Sequence, residues 1–201
     1  MNTFSQTRKY WLLLAVFFPA FAWAHSEGDA GGFIEGALHP IMGLDHLLAM
    51  LSVGIVSAQF GGRLIWLVPA LFVSMMLVGG ILGSNGIEFP MVEAGIASSV
   101  IVLGLGISVA HKQKSYRWAI PLTMAFVAVF GSLHGHAHGV EMPESASPVY
   151  YSFGFIISTS VIHLIGVFIG YIFQNFPRLQ KTTIYLGLII AGAGVKILLV
   201  N

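Results

Sequence analysis

The sequence predicts an all-α membrane protein in which six transmembrane helices follow a cleaved signal peptide. Of the 201 residues, 56% are hydrophobic and only 8% are charged, whereas a soluble domain carries about 25% charged residues to face water. The apolar stretches also reach the roughly 20 residues that a helix needs to cross a bilayer. Backbone polar groups in lipid must be satisfied within the segment, so we expect these stretches to be helices.

The start of the chain has the three regions of a secretory signal peptide. A basic pair at residues 8–9 precedes a short apolar region at residues 10–21, and an Ala-Trp-Ala pattern ends at Ala24. Signal peptidase accepts small residues in this spacing. An uncleaved anchor helix is the alternative, but the polar, glycine-rich run that follows favours cleavage. We therefore expect residues 1–24 to be a signal peptide and residues 25–201 to form the transmembrane domain.

Six apolar segments follow, separated by turn-forming residues. They cover approximately residues 38–60, 64–82, 91–110, 118–136, 149–173 and 182–200. If the mature chain starts outside, the Lys and Arg of its connections fall on the inner side, and Lys196 is the exception. This positive-inside pattern predicts a protein of a bacterial inner membrane, with both termini in the periplasm. The spans divide as three plus three of opposite direction, which is compatible with an inverted repeat.

The composition also limits the chemistry. The chain contains no cysteine, which excludes disulfides and thiolate ligands. Any metal must therefore be held by imidazole, carboxylate, thioether or backbone groups. The sequence contains no phosphate-binding motif of the Walker type, so an ATP-driven engine is not indicated. We expect the lipid bilayer as a partner, no nucleic acid, and no tightly bound cofactor; a homo-oligomer is left open.

Asp45 and His46 lie inside the first predicted span. An Asp at the centre of a bilayer costs about 2.5–3.5 kcal/mol on insertion scales, so such residues face the bundle interior and are functional candidates. His39 stands before Pro40, and a residue before proline is pushed out of the helical region. This order predicts that the helix begins at Pro40, with His39 at its lip.

The spacing of His39 and His46 leaves two arrangements open. On a straight helix the two residues are separated by a rise of about 10.5 Å, whereas a metal–imidazole bond is about 2 Å. Either the chain curls at His39 so that both bind one ion, or they are successive stops on one path. Asp45 is expected to bind the metal or to fix the tautomer of His46. Met42 is a weaker candidate, because methionine more often fills gaps.

A second motif has three alternating histidines, His134, His136 and His138, followed by Glu141. If the fourth helix continues, His134 and His138 share a face, as in a two-histidine helical metal site, and Glu141 falls on the same side. If the segment is extended, all three histidines face one way. Either form presents three ligands to one ion. The alternative is a solvated, histidine-rich loop.

Three further residues are candidates for a metal path. His163, in the middle of the fifth span, is either another station or a helix–helix hydrogen bond. Glu93 opens the third span, where an acid also complements the helix dipole. His25 would offer a free amine and an imidazole to one ion if the chain is cleaved before it.

At these motifs the sequence resembles the HupE/UreJ family of nickel permeases, which accompany hydrogenases and ureases. The matching stretches are His39-Pro40 … Gly43 … Asp45-His46 and His134-Gly135 … Ala137-His138-Gly139 … Glu141. The resemblance implies a six-span permease whose metal-handling residues are His39, Asp45, His46, His134, His138 and Glu141. Two positions depart from the family pattern: Leu133 stands where a Phe is expected, and His136 is an additional imidazole.

These observations predict a secondary transporter that moves a divalent transition-metal ion inward. Nickel is the first expectation and cobalt the second, with copper and zinc as alternatives. We expect no enzyme activity. A membrane-embedded metalloenzyme with Glu141 as its base is one alternative, and a metal sensor or partner subunit is another. Both alternatives predict bound metal without flux.

Overall fold

The computed structural model describes residues 32–110 and 119–200 of the chain. The predicted signal peptide, His25 and the basic stretch 111–118 lie outside the described residues, so their assignments stay predictions. The described residues form α1 (Phe33–Met42), α2 (Leu44–Phe60), α3 (Leu64–Ser84), α4 (Val92–Ala110), α5 (Ala119–Val140), α6 (Pro148–Asn175) and α7 (Gln180–Val200), with a short 3₁₀ turn at Pro177–Leu179.

The helices confirm the prediction of an all-α, multi-pass membrane protein. Each helix from α3 to α7 is long and apolar enough to cross a membrane, and α1 with α2 makes a sixth span if the bent pair counts as one. Large apolar side chains such as Trp66, Ile81 and Phe168 face outward along these helices, as expected for surfaces that contact lipid. The inner-membrane location and the direction of insertion stay predictions.

The first span is the main departure from the predicted fold. The helix does not begin at Pro40: α1 begins at Phe33 and contains both His39 and Pro40. The carboxylate of Glu35 accepts a hydrogen bond of 3.1 Å from the Gly32 backbone N–H and so secures the start of α1. Proline removes one helical hydrogen bond, but it lies in the last turn, and α1 ends two residues later.

The chain then breaks at Gly43, and α2 runs at 83° to α1. The Gly43 backbone is extended, with φ −85° and ψ 115°, a conformation that any residue adopts. Glycine is needed here for space. An added Cβ would lie 2.9 Å from Nδ1 of His46 and 3.0 Å from Oδ1 of Asp45. A side chain at this position would push that pair away from the break.

Three pairings hold the bundle together: the α1–α2 span with α6, α3 with α5, and α4 with α7. In each pair a glycine lets one backbone rest on the other, as small residues do in membrane helix packing. An added Cβ would strike the opposite backbone at Gly54, Gly166, Gly79, Gly135, Gly104 and Gly187. If the first three spans are exchanged with the last three in order, this set of pairs maps onto itself, as an inverted repeat requires.

The interior between these pairs is apolar and contains Met50, Val53, Phe72, Met76 and Val100. Five imidazoles are buried among the described residues, and four of them, those of His46, His134, His138 and His163, have a ring nitrogen without a hydrogen-bond partner there. Burying a polar group in an apolar surrounding is costly unless it finds a partner. Their presence at the centre of the bundle therefore needs a functional explanation.

The α3–α5 contact can be tested by adding one methyl group. In Gly135→Ala the new Cβ would collide with the backbone carbonyl of Met76, and we expect a loss of about 1–3 kcal/mol of stability. Gly106→Ala is the matched control, because its Cβ would meet nothing within 4 Å. Thermal unfolding in detergent measures both. A Gly135→Ala protein as stable as Gly106→Ala would contradict this packing.

Candidate metal site

Three residues from two separate parts of the chain meet at one end of the bundle. Nε2 of His39, in α1, lies 2.9 Å from Oε2 of Glu141, just beyond α5. The ring centroids of His39 and His138 are 4.6 Å apart. One ligand atom from each of the three residues lies within 4.8 Å of the others. Metal–ligand bonds are about 2 Å, so modest side-chain movements would bring all three onto one ion. We call this group the His39 trio.

Glu141 gives the His39 trio a negative charge. The hydrogen bond to the His39 imidazole lowers the pKa of the Glu141 carboxyl below its ordinary value. The carboxylate therefore stays ionised at neutral pH and into mildly acidic conditions. Because 47% of its side chain is exposed, a hydrated cation can approach it from the water at this end of the bundle.

Asp45 positions His46 directly behind the break in the first span. Oδ1 of Asp45 accepts hydrogen bonds of 2.8 Å from the backbone N–H of His46 and from its ring Nδ1–H. With Nδ1 protonated, Nε2 carries the lone pair. Nε2 is buried and has no hydrogen-bond partner among the described residues. A carboxylate that orients an imidazole in this way is typical of metal sites, so the geometry favours the tautomer-fixing role for Asp45.

The ring of His134 is oriented in a similar way, by a hydrogen bond to its own helix. Its Nδ1–H donates a 2.8 Å hydrogen bond to the backbone carbonyl of Phe130. Its Nε2 is buried without a partner in the described part of the chain. The His134 and His46 ring centroids are 5.0 Å apart. Two imidazoles from different helices therefore face each other with free lone pairs.

His138 joins these groups. Its ring centroid lies 4.6 Å from that of His39 and 4.5 Å from that of His46. Both of its ring nitrogens are buried without a partner among the described residues. His39, His138, His46 and His134 thus form a continuous series of rings, which we call the imidazole string. Neutral imidazole suits divalent nickel, copper, zinc and other first-row metals.

The break at Gly43 favours one of the two arrangements that the sequence left open. The chain turns at Gly43 and not at His39, and both His39 and His46 contact the ring of His138. The two histidines therefore lie at neighbouring positions of one string. His138, supplied by α5, is the ring between them.

Other predicted residues lie elsewhere. The structure places His136 away from the string: its Nε2 donates a 2.6 Å hydrogen bond to the Ile87 carbonyl, and its ring stacks on Phe89. Met42 has 82% of its surface exposed at the end of α1. Glu93 lies in the first turn of α4 and is not a member of the His39 trio.

Three aromatic residues that no motif indicated line the string. Phe155 lies 4.2 Å from His138, Tyr151 lies 6.1 Å from His39, and Phe72 lies 5.3 Å from His134, measured between ring centroids. Met76, Tyr151 and Phe155 also line a cavity of about 120 Å³ that reaches His138. The spacing of Tyr151 and Phe155, one helical turn apart, is the sequence signal that could have found two of them.

The fold and the site define a multi-pass membrane protein with a buried string of imidazoles suited to a divalent transition-metal ion. The chain belongs to the HupE/UreJ family: the family model described as "HupE / UreJ protein" matches residues 12–197. It is 39% identical over 155 residues to Protein HupE of Rhizobium leguminosarum bv. viciae, covering 77% of this chain and 78% of that protein. No solved structure matches the chain. The resemblance seen in the two histidine motifs is confirmed.

Removing the charge of Asp45 tests its positioning role. Asp45→Asn keeps an oxygen for the hydrogen bonds but loses the negative charge that strengthens His46 as a ligand. We expect Ni²⁺ affinity to fall about 10- to 100-fold, measured by titration calorimetry in detergent. Glu144→Gln is the control, because it removes the same charge from an exposed residue outside the string. Equal affinities for the two variants would exclude the role proposed for Asp45.

His134 and His136 should respond differently to truncation. His134→Ala removes a free nitrogen of the string and should weaken Ni²⁺ binding. His136→Ala breaks the hydrogen bond to Ile87 and should instead cost about 1 kcal/mol of stability, with Ni²⁺ affinity close to that of the wild type. Calorimetry and thermal unfolding separate the two effects. A large loss of affinity in His136→Ala alone would reverse this assignment.

Proposed function

We propose that the chain is a permease that moves a divalent transition-metal ion, nickel first, inward across the bacterial inner membrane. The observation that carries the proposal is the imidazole string, in which neighbouring rings lie 4.5–5.0 Å apart and lead from an accessible end into the buried core. A resident metal needs one complete ligand set. A series of incomplete sets that share ligands is suited to an ion that moves.

Capture would begin at the His39 trio. The carboxylate of Glu141 attracts a hydrated cation to this end of the bundle. The His39 and His138 imidazoles then replace part of its water shell. Because Nε2 of His39 is hydrogen-bonded to Glu141 at 2.9 Å, coordination of the ion at Nε2 would require the neutral ring to carry its proton on Nδ1 instead.

His138 would pass the ion inward. Both of its nitrogens are free of protein partners in the described chain, and it contacts His39 on one side and His46 on the other. Asp45 supplies negative charge beside His46, which offsets the cost of moving a cation into the apolar core. Each position offers few ligands, and this keeps binding weak enough for the ion to leave.

The membrane potential would drive the movement without ATP. Each elementary charge gains about 2.3 kcal/mol per 100 mV, so a divalent ion gains about 4.6 kcal/mol. This gain applies to the whole crossing, and together with the negative charge beside His46 it would offset a modest total cost of desolvation. Potential-driven uniport is therefore sufficient to explain inward movement.

Nickel is favoured by the family and not by the ligand set alone. Imidazole and carboxylate ligands bind copper more tightly than nickel in the general affinity order, and the chain contains no cysteine that would select softer ions. The relative from Rhizobium leguminosarum is named HupE, and the family is one of nickel permeases that accompany hydrogenases and ureases. Cobalt, with similar chemistry, is the second candidate substrate.

Uptake into proteoliposomes tests the proposal. With an inside-negative potential, the wild type should accumulate radiolabelled Ni²⁺, and His46→Ala should abolish uptake because it removes the ligand behind the break. Excess Co²⁺, Cu²⁺ and Zn²⁺ would rank the competing ions, and protein-free liposomes control for leakage. Stoichiometric binding without flux for any ion would contradict a permease and favour a metalloenzyme or a sensor.

A further inference from the structure

One face of α6 carries buried residues at every fourth position: Tyr151, Phe155, Thr159 and His163 are each 5% exposed or less. Residues four apart lie on the same helical face, and each step rises about 6 Å. The first two members line the imidazole string beside His39 and His138. Thr159 and His163 therefore continue the same line deeper into the membrane, beyond the motifs on α1, α2 and α5.

The side chains of Thr159 and His163, the deeper pair, lack hydrogen-bond partners in the described part of the chain. His163 is 1% exposed, and neither of its ring nitrogens has a hydrogen-bond partner among the described residues; the same holds for Oγ1 of Thr159. Hydroxyls in helices usually bond back to a carbonyl one turn earlier, as Ser57 and Ser99 do here. Buried polar groups in folded proteins are almost always paired, so two orphaned groups one turn apart need an explanation.

A single aromatic ring separates His163 from the imidazole string. The Phe72 ring is T-shaped to His134 at 5.3 Å and to His163 at 5.1 Å between centroids. Phe72 is fully buried, and its ring lies between the last member of the string and the deeper pair. Rotation of the Phe72 side chain would open a connection between the imidazole string and the deeper pair.

We propose that His163 and Thr159 form an inner cation site, which receives the ion from His134 past the ring of Phe72. The proposal rests on the permease function proposed above and extends it by one station. An imidazole nitrogen, a hydroxyl oxygen and retained water would hold the ion. Asp45 and Glu141 lie beside the imidazole string, and in the described part of the chain neither forms a hydrogen bond with His163 or Thr159. Binding at the inner site is correspondingly weak, as release toward the far side requires.

Two apolar substitutions separate this role from a structural one. His163→Leu and Thr159→Val remove the ligand atoms while keeping approximate size. Since neither group has a hydrogen-bond partner among the described residues, replacing it by an apolar side chain is expected to leave stability unchanged or to raise it. Thr183→Val is the matched control. Thr183 is also buried, and its Oγ1 has no hydrogen-bond partner in the described ranges, but it lies on α7, which packs mainly on α4.

Three measurements on each full-length variant give the result: Ni²⁺ affinity in detergent, thermal stability, and Ni²⁺ uptake into proteoliposomes. We expect His163→Leu to keep the affinity of the imidazole string and the stability, while uptake falls about tenfold or more, a loss on the scale of a disrupted metal-site contact. Thr159→Val should show a smaller loss of uptake, and Thr183→Val should match the wild type.

The proposal is overturned if His163→Leu and Thr159→Val bind and transport Ni²⁺ as the wild type does, whereas the permease function would then stand. It is also overturned if Thr183→Val loses uptake as severely as Thr159→Val, because the effect would not be specific to the path. A wild type that takes up no ion would instead contradict the permease function itself. The three results are distinguishable in one set of vesicles.

Discussion

The first span could not serve the site if it were straight. A straight helix would hold His39 and His46 about 10.5 Å apart, yet both must reach the same ring on α5. The 83° bend between α1 and α2 removes this conflict, because it lays α1 against α6 and leaves His39 beside Glu141. The bend in turn depends on Gly43, where no side chain separates the backbone from Asp45 and His46. Broken helices of this kind line the ion sites of many transporters.

The bend also brings the polar groups of the core together at a place where several helices meet. The free-energy cost of burying these groups is therefore distributed over several helices. Asp45 is satisfied by the backbone and ring of His46, and His134 by its own helix, so each ring is fixed with a lone pair free. The remaining cost falls on unpartnered nitrogens, each worth about 1–3 kcal/mol. In the proposed permease, a cation that binds them would recover this energy in steps, and weak binding at each position would let the ion leave.

The sequence predicted the parts of this arrangement that depend on local patterns. Hydropathy located six apolar segments, because lipid contact is a property of each helix alone, and residue chemistry identified the two histidine motifs.

The break at Gly43 was missed because the rule for residues before proline was applied to His39, although a glycine followed by an acid at Asp45 also marks a helix start. His134 and His136 could not be separated, since the choice between helix and extended chain was open. The helix continues to Val140, and His136 therefore faces away. The place of Phe72, one of 15 phenylalanines, depends on contacts between helices distant in sequence.

X-ray absorption spectroscopy of the Ni²⁺-loaded protein tests the central claim most directly, because it reports the atoms bound to the metal. We expect a shell of nitrogen and oxygen at about 2 Å, with the outer-shell scattering of several imidazoles and no sulfur. The imidazole signal should decrease when His138 is replaced by alanine, because that ring lies between those of His39 and His46 in the string. A shell of water and carboxylate oxygen alone, or one that His138→Ala leaves unchanged, would contradict the account.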